Sequence, residues 1–184
     1  MENLALTDPE LIYFQPLNET TTPIEASAIA TDPPLGNQIG NTTSQVYPRP
    51  TNIWVPYTQS PHQLYVRVEG GRLAAPNYWQ LLLINQLNAA PPPAGQSFPG
   101  TRLDQFGGSW ATETPWRAYP ARYSPYSYYF GGRYHQDGQW RWNYGGLIVE
   151  KTYYRYGVLQ RVNYENGHNN GYDDYIIQLA FIWL

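Results

Sequence analysis

Cysteine is absent from this chain. A disulfide scaffold, a thiolate metal site and a cysteine nucleophile are therefore excluded. Long apolar runs are absent too: nothing approaches the roughly 18 consecutive apolar residues a spanning helix needs. The N-terminus, Met1-Glu-Asn-Leu-Ala-Leu-Thr-Asp, lacks the basic and apolar regions of a secretory signal, and none is expected. On that expectation the sequons at Asn18 and Asn41 read as chance matches. Basic residues are missing from the first 48 positions, and Lys151 is the sole lysine.

What is present is unevenly distributed. Glu2, Asp8, Glu10, Glu19, Glu25 and Asp32 give the first 48 residues a charge of −6, the span from Arg49 to Arg161 carries +6, and the last residues carry −3. A polar acidic segment joined to a basic body predicts an arm that lies on a body, its own or a neighbour's. Residues 1–50 read as that arm. They are rich in proline and threonine, which remove backbone donors and favour extended geometry. Leu4, Leu6, Ile12, Tyr13 and Phe14 are its candidate anchors. Residues 51–184 read as one aromatic-rich domain, with 18 Tyr and 7 Trp in the whole chain. Disordered chains have few aromatics and high charge, so the body is expected to fold. Its palette favours strands and turns.

The periodicities agree. Leu64, Val66 and Val68 alternate with Tyr65, Arg67 and Glu69, which predicts a strand ending at Gly70-Gly71. Residues 77–87 fit a helix or a buried strand, and the surrounding pattern favours the strand. Residues 89–100 have polyproline character, and 115–125 read as a proline-aromatic loop or an edge covered by one. From Tyr126 onward the pattern predicts hairpins: Tyr126–Phe130 runs up to a turn signal at Gly131-Gly132. Asp137-Gly138 has the signature of a two-residue hairpin turn, since both central residues need positive φ. Residues 147–156 and 158–164 predict a second hairpin around Gly157. Asn166-Gly167 and Asn169-Asn170-Gly171 mark a further turn. Residues 175–184 are apolar on both faces, the pattern of a central strand. Together these predict an all-β fold, an antiparallel β-sandwich resembling a jelly roll, with an extended N-terminal arm.

Catalytic signatures are weak. His62, His135 and His168 lie near predicted turns without metal-ligand spacing and read as surface residues. Gly107-Gly-Ser109 lacks the Gly-x-Ser-x-Gly spacing of a nucleophile elbow, and no spacing among the carboxylates selects a hydrolytic pair. A non-enzymatic role is expected.

The arginines alternate with aromatics. That mixture, poor in lysine, matches protein interfaces better than nucleic-acid surfaces, so nucleic acid is not the expected partner. Trp110, Trp116, Trp140, Trp142, Arg133 and Arg141 are the candidates for an interface or for stacking on sugar rings. The leading expectation is a structural subunit of a larger particle, such as a virion coat or decoration protein or an extracellular filament. Its partners would be copies of itself or other structural subunits.

The alternative is a carbohydrate-binding module. Residues 163–174 gather Glu165, Asn169, Asn170, Asp173 and Asp174 in a Gly-containing loop, and hard cations such as calcium need several such oxygens in a tight turn. This loop resembles the calcium loop of the bacterial galactose-binding soluble lectins, small jelly-roll sandwiches in which an acidic residue and an Asn-Asn or Asp-Asn pair precede the final strand. The spacing here is shorter, and Tyr164 stands where that family has an aspartate. The resemblance covers this loop alone. It implies calcium as a cofactor and a glycan as the partner.

Overall fold

The computed structural model describes residues 28–49, 53–54, 56–58, 60–70, 77–84, 101–108, 113–124, 126–136, 139–142, 145–165 and 175–184. Among them the regular structure is all strand, with no helix. In chain order the strands are β1 (Ala28–Ala30), β2 (Thr43–Pro48), β3 (Ile53–Trp54), β4 (Tyr57–Thr58), β5 (His62–Gly70), β6 (Asn77–Ile84), β7 (Thr101–Gly108), β8 (Trp116–Ala118), β9 (Tyr126–Gln136), β10 (Gln139–Trp142), β11 (Gly146–Tyr154), β12 (Gly157–Tyr164) and β13 (Tyr175–Trp183).

They form two antiparallel sheets. The larger has seven strands in the order β1-β8-β5-β13-β12-β11-β2. The smaller has the order β10-β9-β6-β7, with β3 and β4 both paired to β9. The alternation in β5 is as expected: His62, Leu64, Val66 and Val68 are buried, and Gln63, Tyr65, Arg67 and Glu69 are half-buried. Strand β5 ends at Gly70, whose φ of 146° favours glycine. The doubly apolar β13 lies between β5 and β12, as its composition requires. Residues 77–84 are strand, not helix.

Several local expectations need correction. Gly131-Gly132 is not a turn; β9 runs through both. Gly131 pairs with Ile53 on one edge and Gln80 on the other, so neighbours on both sides hold the backbone extended. Asp137 and Gly138, expected to form a two-residue turn, lie outside the described residues; Gln136 and Gln139 on either side of them are paired. The second hairpin turns at Arg155-Tyr156, and Gly157 is already the first residue of β12. Glycine is needed there for another reason. A Cβ on Gly157 would sit 2.1 Å from the carbonyl oxygen of Phe181 in β13.

Within 115–125, residues 116–118 form β8, and the surrounding segment follows β5. Thr114, Tyr119 and Arg122 donate backbone N–H bonds to the carbonyls of Val68, Leu64 and His62. Pro115 and Pro120 fall between these bonded positions, where no donor is used. Residues 28–30 and 43–48, both inside the segment expected to be an arm, supply the two outermost strands of the larger sheet. Residues 1–27, with Leu4, Leu6, Ile12, Tyr13 and Phe14, lie outside the described residues, as do 89–100 and the turns at 166–171.

Among the described residues one hydrophobic core draws on both sheets. The larger sheet contributes Leu64, Val66, Val68, Leu147, Val149, Val158, Val162, Tyr164, Tyr175, Ile177, Leu179 and Phe181; the smaller contributes Trp54, Tyr128 and Phe130. Burying such side chains contributes roughly 1.5–3 kcal/mol each before the entropy of ordering the chain is counted.

Among the described residues three side-chain polar bonds cross this core. The Tyr164 hydroxyl donates to the Phe130 carbonyl at 2.6 Å. Trp54 Nε1 donates to Gln160 Oε1 at 2.7 Å. The Tyr128 hydroxyl is bonded to His62 Nε2. Each ties a strand of one sheet to a strand of the other, and each satisfies polar atoms that would be costly to bury alone.

Candidate functional site

The three cross-sheet bonds fix which side chains remain available. His62 is fully buried in β5, not a surface residue as its turn-proximal position suggested. Its Nδ1 lies 2.9 Å from the Ser60 carbonyl, which can only accept, so Nδ1 carries the proton. Nε2 then accepts from Tyr128. Burial holds this imidazole below its ordinary value. Burial also pushes the Tyr164 and Tyr175 phenols well up, so both stay neutral. None of these groups is placed to act on a substrate.

Trp54 is the second anchor. Its ring packs 5.3 Å from that of Tyr47, and Lys151 Nζ lies 5.4 Å from its centroid. Because an indole N–H can only donate, its bond to Gln160 settles the amide orientation: Oε1 faces Trp54 and Nε2 faces away. Lys151 on β11 is the direct cross-strand partner of Gln160 on β12, so both project from the core-facing side of the larger sheet.

Beside this pair the two sheets part around a cavity of about 150 Å³. Lys151, Gln160 and Thr58 supply its polar wall, and Tyr153, Val158, Phe181 and Trp183 supply its apolar wall. Tyr153 and Trp183 are 49% and 38% exposed and form the mouth, whereas Gln160 is 8% exposed and Phe181 2%. No carboxylate is among the described residues that line it. The chemistry on offer is hydrogen-bond donation from an ammonium and an amide beside aromatic surfaces.

The opposite face of the larger sheet carries a different polar system. Arg67 on β5, Gln178 on β13, Arg161 on β12 and Glu150 on β11 form one cross-strand row. Arg67 donates to Gln178 at 2.7 Å and to Glu113 at 2.9 Å. Arg161 holds Glu69 through two bonds of 2.6 Å and Glu150 through one of 2.8 Å. Gln178 also donates to Glu69. The Arg161 bonds hold the Glu69 carboxyl below its usual range, and Glu69 in turn raises Arg161. These groups satisfy one another, which makes this face a structural lattice.

Trp116 belongs to this outer face. It is 6% exposed, with the Arg67 guanidinium 4.8 Å from its ring centroid, and so offers little surface to a partner. The register pairs Trp142 with Arg133, Trp140 with His135 and Arg141 with Tyr134. Trp110 lies outside the described residues. Of the candidate calcium ligands, only Glu165 is described. It is 1% exposed, and its backbone pairs with Gly145 and Gly146. Asn169, Asn170, Asp173 and Asp174 lie outside the described residues, and among those that are described no cluster of metal-binding side chains occurs.

The sequence reading missed the cavity. Its signal was present: Lys151 is the sole lysine, in a strand whose other core-facing residues are apolar or aromatic. Comparison of the chain with protein families, with curated proteins and with solved structures finds no match.

Proposed function

We propose that this chain is a non-enzymatic subunit of a larger particle, a jelly-roll-like β-sandwich that joins neighbours by strand addition. The edge strand β2 carries this reading. Among the described residues it ends the strand order of the larger sheet, five of its six residues are exposed, and its sequence, Thr-Ser-Gln-Val-Tyr-Pro, contains no charge. Soluble proteins usually blunt such an edge with charges or bulges, because its free backbone groups template another strand. Val46 on β2 is 54% exposed, and Ile39 just before it is 68% exposed. The acidic N-terminal segment, with Leu4, Leu6, Ile12, Tyr13 and Phe14, is the proposed occupant on a neighbouring copy, in the manner of β-augmentation.

Light scattering tests this. The full chain is expected to have a mass that is a multiple of 21.1 kDa. Val46→Lys is expected to reduce it to the monomer while leaving the melting temperature unchanged. A monomeric full chain at all concentrations would remove the reading. The second reading, a glycan-binding module, is favoured by the aromatic mouth and donor-lined floor of the cavity between the sheets.

A further inference from the structure

We propose that the cavity bounded by Lys151, Gln160, Phe181 and Trp183 is a binding site for one acidic sugar ring, a pyranose bearing a carboxylate. The inference rests on the glycan-binding reading and names its ligand class. Gln160 is the starting point. Its Oε1 is committed to Trp54, and no acceptor among the described residues bonds its Nε2, although the residue is only 8% exposed. A buried amide donor without a partner is costly, and Gln160 lines the cavity beside its cross-strand partner Lys151. The Lys151 ammonium has no carboxylate among the cavity residues. Its described contact is the Trp54 face.

Two donors on paired strands, one of them cationic, with no carboxylate among the described lining residues, select a carboxylate over a neutral hydroxyl, because charge-assisted bonds are about twice as strong as neutral ones. The rest of the cavity selects a ring. Its volume, about 150 Å³, lies below the range of roughly 300–1,000 Å³ that holds drug-sized ligands. That leaves space for one ring. Phe181 closes the inner wall, and Tyr153 and Trp183 stand at the mouth, where aromatic faces cover the apolar face of a sugar. The Thr58 hydroxyl is 3.5 Å from the Ser60 carbonyl, a weak contact that leaves it able to meet a ring hydroxyl. An aspartate or glutamate side chain from a peptide would satisfy the donors but would leave both mouth aromatics uncovered.

The test is titration of the full chain with sodium glucuronate, glucose and sodium acetate, followed by tryptophan fluorescence. Glucuronate is expected to bind at least about tenfold more tightly than glucose or acetate. Lys151→Met is expected to remove that preference. Gln160→Glu, which keeps an acceptor for Trp54, is expected to weaken glucuronate more than glucose. Equal binding of glucose and glucuronate would overturn the acidic-ring assignment while leaving a glycan site in place. Equal binding of acetate would overturn the need for a ring. Displacement of glucuronate by a peptide of residues 1–14 with tighter affinity would overturn the assignment in favour of the arm. If none of the three probes binds, the glycan reading and this inference fall together, and the assembly reading is untouched.

Discussion

Neighbouring residues on β13 face two different solvents. Leu179 points into the core and is fully buried; Gln178, one residue earlier, joins the lattice of Arg67, Glu69 and Arg161 on the other side. On the core side, stability comes from apolar area, and the few polar groups must reach across to the second sheet. On the lattice side, charged groups bond to each other along the same sheet and keep contact with water, Arg161 and Glu69 being 35% and 28% exposed at the side chain. The lesson is that one sheet holds its two surfaces by unrelated means. Damage to one should register very differently from damage to the other.

The largest expected effect is on the core side. Leu179→Ala should cost about 2–5 kcal/mol, read as a shift in the denaturation midpoint, because the space it vacates is enclosed by both sheets. An effect below about 1 kcal/mol would mean that the sheets close over the gap.

The next effect is pH-dependent and separates the two faces on a single axis. His62 has a folded-state value below its ordinary 6.5, so the unfolded chain takes up the proton first. Its contribution is full above about pH 6.5 and is lost as pH falls below that value. Glu69 also has a lowered folded value, relative to an ordinary 4.5. Its contribution is present above that value and disappears as pH falls further, through the lowered one. Melting temperature should therefore decline in two stages on acidification, first through the core and then through the lattice. His62→Gln should flatten the first stage and leave the second. A single stage in the parent chain would contradict the assignment of His62 as buried and neutral.

The smallest effect belongs to the lattice rim. Glu113 is 68% exposed at the side chain and touches the row through Arg67 alone. Glu113→Ala should change stability by less than about 1 kcal/mol, and added salt should erase even that.

Much of this division was legible in the sequence. The alternation of β5 and the two apolar faces of β13 follow from side-chain period alone, and both strands formed where that period placed them. Local turn chemistry was less reliable. Gly131-Gly132 has the composition of a turn, but pairing on both edges of β9 overrides it. His62 sits close to the Ser60-Pro61 bend, which suggested exposure; only its place in register with Leu64 and Val66 reveals burial. The cavity was the hardest to foresee. It depends on Trp54 orienting Gln160 from a strand 106 residues away, and no local spacing encodes such a pairing.

The position of β13 also constrains how the molecule comes into being. Arg67 and Gln178, facing each other across β5 and β13, are 111 residues apart in the chain. Until β13 is in place, β5 and β12 each present an unpaired backbone edge toward the gap it will fill. Closure of so distant a pairing is slow, on the order of milliseconds to seconds, and an open strand edge is prone to the wrong partner in that interval. The nascent protein should depend on chaperones during that wait, and changes within β13 should lower the yield of soluble chain more than they lower the stability of chains that have folded.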